Sequence, residues 1–178
     1  MSPKPLNALT VNFEPIQHSM RDLCRDANDY YFHKPTGQVV VLSKGVVRFL
    51  TDESADEGQE NLPEWDAKMI PVARQIILEG ASDFTRIPEA FGQPEHVWMK
   101  DFSITIRSAK LRQKILQMLR GRGACRRFRE ILKEFPEESR QWATFRSRNW
   151  AEKIKSWLET VGILAVEDNP KKIRPTRR

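Results

Sequence analysis

The stretch Tyr30–Leu42, YYFHKPTGQVVVL, does most to limit what this chain can fold into. Two runs rich in aromatic and β-branched residues flank Lys34–Gly37, a four-residue turn with proline second and glycine fourth. The proline ring presets the φ of its turn position, and the runs on either side favour a pleated, half-buried surface. A β-hairpin is therefore predicted, with strands at 30–33 and 38–42. Phe84–Ile87, which alternates apolar and polar residues before Pro88, is predicted to add a short third strand.

Elsewhere the apolar period is that of helices. Pro15–Ala27 places Ile16, Met20, Leu23 and Cys24 on one face, and Lys44–Leu50 is read as a further helix. Leu62–Gly80 aligns Trp65, Met69, Val72, Ala73, Ile76 and Ile77, with Asn61 as cap and Gly80 as stop. Pro71 inside that pattern predicts a kink or a second helix start, because proline removes a backbone donor and crowds the preceding turn. The carboxyl half reads as helix almost throughout: Pro94–Ile104 with Val97, Trp98, Asp101, Phe102 and Ile104, then Ser108–Arg120 capped by Ser108, Ala124–Phe135, and a long helix from Glu137 to Val161 that stops at Gly162.

The expected fold class is α+β, a mostly helical single domain with a small antiparallel amino-terminal sheet. Its expected boundaries are a flexible amino terminus at 1–10, one globular domain over 11–168 containing an acidic linker at 51–61, and a basic flexible tail at 169–178. A chain of 178 residues can bury one sizeable core. Cys24 and Cys125 stand a hundred positions apart in no metal or redox spacing, which fits a reducing compartment. No apolar run suits a signal peptide or a bilayer span, so the chain is expected to be soluble, cytoplasmic and off the membrane.

The net charge of +6 is unevenly laid out. Residues 1–50 carry six Lys+Arg against four Asp+Glu, residues 51–100 four against eleven, and residues 101–178 twenty against nine. An acidic middle and a basic carboxyl half either neutralise one another within the fold or present opposed surfaces to partners.

Several pieces taken together resemble a bacterial family of conserved proteins of uncharacterised function. They are Tyr30-Tyr31 with Thr36-Gly37-Gln38-Val39-Val40, Arg86-Ile87-Pro88, Met99-Lys100-Asp101-Phe102, Gly121-Arg122-Gly123-Ala124-Cys125-Arg126-Arg127-Phe128, and Trp142 to Trp157-Leu158. The resemblance spans roughly residues 20 to 165 and implies a soluble α+β domain with no catalytic residue to carry over. The chain departs from the expected family pattern at Cys125, where phenylalanine is expected.

Five arginines fall between Arg120 and Arg129 in the stretch MLRGRGACRRFREI. On a helix starting near Gly123, Cys125, Phe128, Ile131, Leu132 and Phe135 form a buried stripe, while Arg122, Arg126, Arg129 and Lys133 form a separate basic one. Cations at a helix amino end oppose its dipole, so an anion is expected nearby. One reading supplies it from the acidic 51–100 region or from Glu130, Glu134 and Glu137. The other supplies it from a phosphate or nucleic-acid backbone, with Arg120, Arg122, Arg126, Arg127, Arg129 and Lys133 as the candidate site.

Other motifs fail on spacing. There is no P-loop pattern, the acidic run from Asp52 has Glu57 and Pro63 where a calcium loop needs glycine and glutamate, and His18, His33 and His96 are isolated. No cofactor and no metal site is indicated. Tyr31 and His33 sit together on the hairpin as a candidate stacking pair, and Cys125 lies among arginines that would favour a thiolate if it were accessible. Three functional readings follow: a non-enzymatic binding module that meets another protein through acidic and basic faces, a binder of nucleic acid or another polyanion, and an enzyme whose site is assembled only by folding.

Overall fold

The computed structural model describes residues 7–22, 25–51, 62–90 and 94–167. The fold is α+β and mostly helical, as expected. Among the described residues the order is β1 (Asn7–Val11), α1 (Phe13–Arg21), β2 (Asn28–His33), β3 (Gln38–Ser43), α2 (Lys44–Thr51), α3 (Glu64–Ile77), β4 (Phe84–Arg86), α4 (Pro94–Thr105), α5 (Ala109–Met118), α6 (Ala124–Lys133), α7 (Pro136–Thr160) and β5 (Ile163–Glu167). The acidic linker at 51–61, Asn61 as a cap, Leu23 and Cys24, and the basic tail fall outside the described residues, apart from Thr51.

The chain divides into two compact units, one formed by residues up to Glu89 with those from Ile154 onward, the other by Ala90–Lys153. In the first, β2 and β3 form the predicted hairpin, paired from Asn28↔Ser43 to His33↔Gln38. β4 pairs antiparallel with the other edge of β2, giving the order β3-β2-β4. The two faces of β2 bury different partners. Tyr31, with Val40 and Leu42 of β3, packs toward Val46 of α2 and Ala73 of α3. Phe32 is fully buried on the opposite face and meets the Trp157 ring edge-on at 5.7 Å.

Within the span expected to be flexible, residues 7–10 belong to a strand. Asn7–Val11 pairs in parallel with Ile163–Glu167, from Asn7↔Ile163 to Val11↔Glu167. That partner strand lies more than 150 positions away in sequence, so no local pattern announces it. At its end Asn12 accepts a hydrogen bond from Glu14 N at 3.0 Å, which caps α1 and turns Phe13, Ile16 and Met20 inward.

α3 narrows one further expectation and corrects another. It runs unbroken through Pro71, with no second start. Both Pro71 and Ala67, whose carbonyl loses its usual donor, lie on the exposed face, where water can serve that carbonyl. Trp65 is 59% exposed because the buried face is centred on Asp66 and Ala73, so a carboxylate and not the indole takes the inward place in the first turn.

The second unit is helical, with one core. Phe102 of α4, Ile115 of α5, Phe128 of α6 and Trp142 of α7 meet there, with the Phe128 and Trp142 ring centroids 5.0 Å apart. Ser108 caps α5 as predicted, accepting from Leu111 N at 3.3 Å. Val97 and Ile104 do not join this core: α4 turns Met99, Phe102 and Ser103 inward and leaves Val97 at 53% and Ile104 at 65% exposure. Among the described residues no helix is long and apolar enough to cross a membrane.

Candidate functional site

The basic stretch begins where α5 ends. Gly121 and Gly123 both adopt left-handed backbone, φ 73° and 76°, which lets the chain reverse within a few residues and enter α6. Arg127, in the first turns of α6, then reaches back across this turn. Its Nε and Nη2 donate to Met118 O at 3.1 and 3.0 Å, Nη2 also to Arg120 O at 2.7 Å, and Nη1 to Arg122 O at 2.6 Å. The last carbonyls of a helix have no partner within it and carry partial negative charge, so a planar guanidinium with donors in a fork serves them well. A side chain at position 123 would place its Cβ 3.2 Å from Arg127 Nη1, so besides straining φ it would press the guanidinium off its carbonyls by a few tenths of an ångström.

Arg127 therefore leaves the candidate anion site. Four of its five donors are spent on the turn that the motif itself makes. Lys133 is also engaged, because its Nζ donates to both carboxylate oxygens of Glu130 at 2.9 and 3.0 Å. Such an exposed pair contributes little stability, but it neutralises the lysine locally.

Arg120, Arg122, Arg126 and Arg129 remain, all exposed, and among the described residues none has a side-chain ion pair. Of the acids expected to balance them, two on the same helical hairpin meet other cations: Glu130 pairs with Lys133 and Glu137 lies 3.9 Å from Arg140. Within α6 the predicted division into two stripes holds, whereas Arg122 precedes the helix and belongs to the turn. Phe128, Ile131 and Leu132 are buried, Cys125 and Phe135 half-buried, and Arg126 and Arg129 face solvent. The second unit carries fifteen Lys+Arg against seven Asp+Glu, a net +8, while the rest of the chain carries fifteen against seventeen, a net −2.

Beside Arg120 lies a cleft of about 710 Å³, lined by His96, Lys100, Ile104, Leu116, Leu119, Arg120 and Gly121. It runs between α4 and the end of α5. His96 Nε2 sits 3.1 Å from Leu119 O, a separation at which the ring nitrogen donates its hydrogen to that carbonyl. The lining offers two cations and three aliphatic side chains, and no carboxylate, thiol or hydroxyl with which to build a nucleophile and its base.

The first unit holds a different kind of charged cluster. The Asp29 carboxylate, 6% exposed, accepts from Lys44 Nζ and, at 2.5 Å, from Arg86 Nη2. Burial pushes this carboxyl up, but the hydrogen bonds and charges of Lys44 and Arg86 outweigh burial and hold it below its ordinary value. Tyr30 is pushed up to about 12, first by burial and then by its 2.5 Å hydrogen bond to Asp22. Arg25 is buried and donates to Ile87 O, Ser19 O and Pro88 O while lying 4.9 Å from the centre of the Tyr30 ring. None of these links was legible in the sequence, since each joins residues on different elements whose contacts only the fold defines.

The remaining candidates disperse. Tyr31 packs into the core beside Leu42 and Val46, and His33 bonds Thr36 and stacks on Phe84, so the two form no free stacking platform. Among the described residues no three His, Cys, Asp or Glu side chains gather as metal ligands. A model of the Uncharacterised protein family (UPF0158) matches residues 7–173. No curated protein and no solved structure matches the chain.

Proposed function

We propose that this chain, which belongs to the Uncharacterised protein family (UPF0158), is a non-enzymatic cytoplasmic binding module that docks an acidic partner protein on the basic surface of its second unit. The observation that carries this reading is the set Arg120, Arg122, Arg126 and Arg129, exposed on a unit of net +8 and without an ion pair among the described residues. Cations near the start of α6 oppose its dipole, by about 0.3 to 1 kcal/mol each when exposed, and a docked anion relieves that opposition. The lining of the adjacent cleft, aliphatic and cationic with no carboxylate, thiol or hydroxyl, favours binding of an anion with an apolar face.

A second reading is contact with a nucleic-acid backbone, favoured by four guanidinium groups within ten positions. Against it, the large apolar side chains that the second unit exposes among the described residues, Val97, Ile104 and Leu116, are aliphatic and give bases nothing to stack on.

Fluorescence anisotropy with a labelled glutamate-rich peptide and a labelled mixed-sequence oligonucleotide separates the two. The acidic peptide is expected to bind, to weaken steeply between about 50 and 200 mM salt, and to be lost in Arg126→Glu/Arg129→Glu. Binding of the oligonucleotide alone replaces the first reading with the second. Absence of both signals at low salt overturns the module.

A further inference from the structure

We infer that the cleft between α4 and the end of α5 seats the recognition segment of the acidic partner: an amphipathic helix that sets aliphatic side chains on Ile104 and Leu116 and its carboxylates against Lys100 and Arg120. The inference rests on the reading of the second unit as a docking surface for an acidic protein, and it names the segment that surface takes.

The fold leaves several side chains over. α4 has completed its inward face with Met99, Phe102 and Ser103. Even so, it carries Val97, Lys100 and Ile104 at i, i+3 and i+7, one stripe of the helix turned to solvent. Ile104 is 65% exposed and Leu116, on the neighbouring helix, 37%. Both line the same cleft with the buried Leu119. Single exposed aliphatics are ordinary, but aliphatics gathered in one concave place on a strongly cationic unit are not explained by solubility or by packing.

The chemistry of the lining then selects the occupant. The cleft volume, about 710 Å³, lies within the range of ligand-binding clefts and accommodates several side chains. A phosphate backbone gains nothing from the aliphatic floor. A purely acidic peptide uses only Lys100 and Arg120. An amphipathic helix with acidic flanks uses both, in the mode by which helices lie in grooves with anchors at i, i+3 or i+4, and i+7. Arg120 joins the cleft to the arginines of the turn and α6, so the acidic flank of such a helix continues toward Arg122 and Arg126.

The test uses the full chain and three probes. One is a synthetic helical peptide with leucines at i, i+3 or i+4, and i+7 among glutamates. The second is its twin with every leucine replaced by serine. The third is an oligonucleotide of equal charge. The leucine peptide is expected to bind about tenfold or more tightly than its twin, from burial of its anchors. In Ile104→Ser/Leu116→Ser that preference disappears while the twin binds as before, and the protein stays folded, with a modest fall in melting temperature because Leu116 is 37% and Ile104 65% exposed. Lys100→Glu/Arg120→Glu weakens both peptides. Equal affinity of the two peptides for the unaltered protein overturns the inference and leaves the acidic-partner reading standing. A preference that survives in Ile104→Ser/Leu116→Ser overturns the cleft as the seat. Binding of the oligonucleotide alone overturns both.

Discussion

The two units handle their arginines and lysines in opposite ways. In the first, Lys44 and Arg86 converge on one buried carboxylate, Asp29, and Arg25 is turned inward onto backbone carbonyls. In the second, Arg127 alone among the motif's arginines is turned inward in this way, while Arg120, Arg122, Arg126 and Arg129 stand in solvent. Where cations hold the fold together, the structure closes hydrogen bonds around them. Where they stay open on a unit of net +8, they have no ion pair among the described residues, and the proposed acidic partner would supply one.

The largest effect that bears on this contrast comes from the ring beneath the exposed arginines. Phe128 is fully buried and meets Phe102 and Trp142 edge-on, so Phe128→Ala is expected to cost about 3 to 5 kcal/mol in urea unfolding. An unchanged midpoint would mean that α6 does not bury this face, and the solvent-facing position of Arg126 and Arg129 would fall with it.

Next in size is the closed cluster of the first unit. Asp29→Asn leaves Lys44 and Arg86 without their anion. Because both cations keep some access to water, the expected loss is about 2 kcal/mol at neutral pH, less than for a fully buried pair. The folded carboxyl titrates below its unfolded value, so its contribution is present above the unfolded value and is lost as pH falls through the folded one. The acid limb of the stability curve should therefore flatten in Asp29→Asn. Tyr30 acts with the opposite sign: raised to about 12, it stabilises below its unfolded value near 10 and loses that contribution as pH rises through the folded one. An acid limb identical in the two proteins would break the contrast from the other side, by showing that the cluster is not closed.

What the sequence revealed follows the range of the interactions. The hairpin was legible because Pro35 and Gly37 dictate a turn between β-prone runs, and the two stripes of α6 because helical spacing sorts Phe128 from Arg126. β1 was not legible, since Asn7–Val11 is a strand only by virtue of Ile163–Glu167. The division of labour inside the arginine motif was hidden for a related reason. Arg126 and Arg127 are neighbours of identical type, and only the reversal at Gly121 and Gly123 brings the carbonyls of Met118, Arg120 and Arg122 around the second of them. Ile104 misled the periodic reading, because the core is already filled by Met99 and Phe102 and a spacing argument does not count available room.

The neighbouring pair Arg126 and Arg127 gives the sharpest test of the contrast, and the smallest effect on stability. Arg127→Lys keeps the charge but replaces a fork of donors with a point ammonium that cannot reach three carbonyls at once, so it is expected to cost about 1 to 2 kcal/mol. Charge conservation does not rescue it if geometry is what the residue supplies. Arg126→Glu/Arg129→Glu changes charge by four units on an exposed face and is expected to shift stability by no more than about 0.5 kcal/mol per site, with a favourable dipole contribution at the start of α6. The same double variant removes binding of the acidic peptide, whereas Arg127→Lys, measured well below its melting temperature, retains it. If the two variants exchange roles, so that Arg127→Lys abolishes binding and the charge reversal unfolds the protein, the open and closed cations have been assigned the wrong way round.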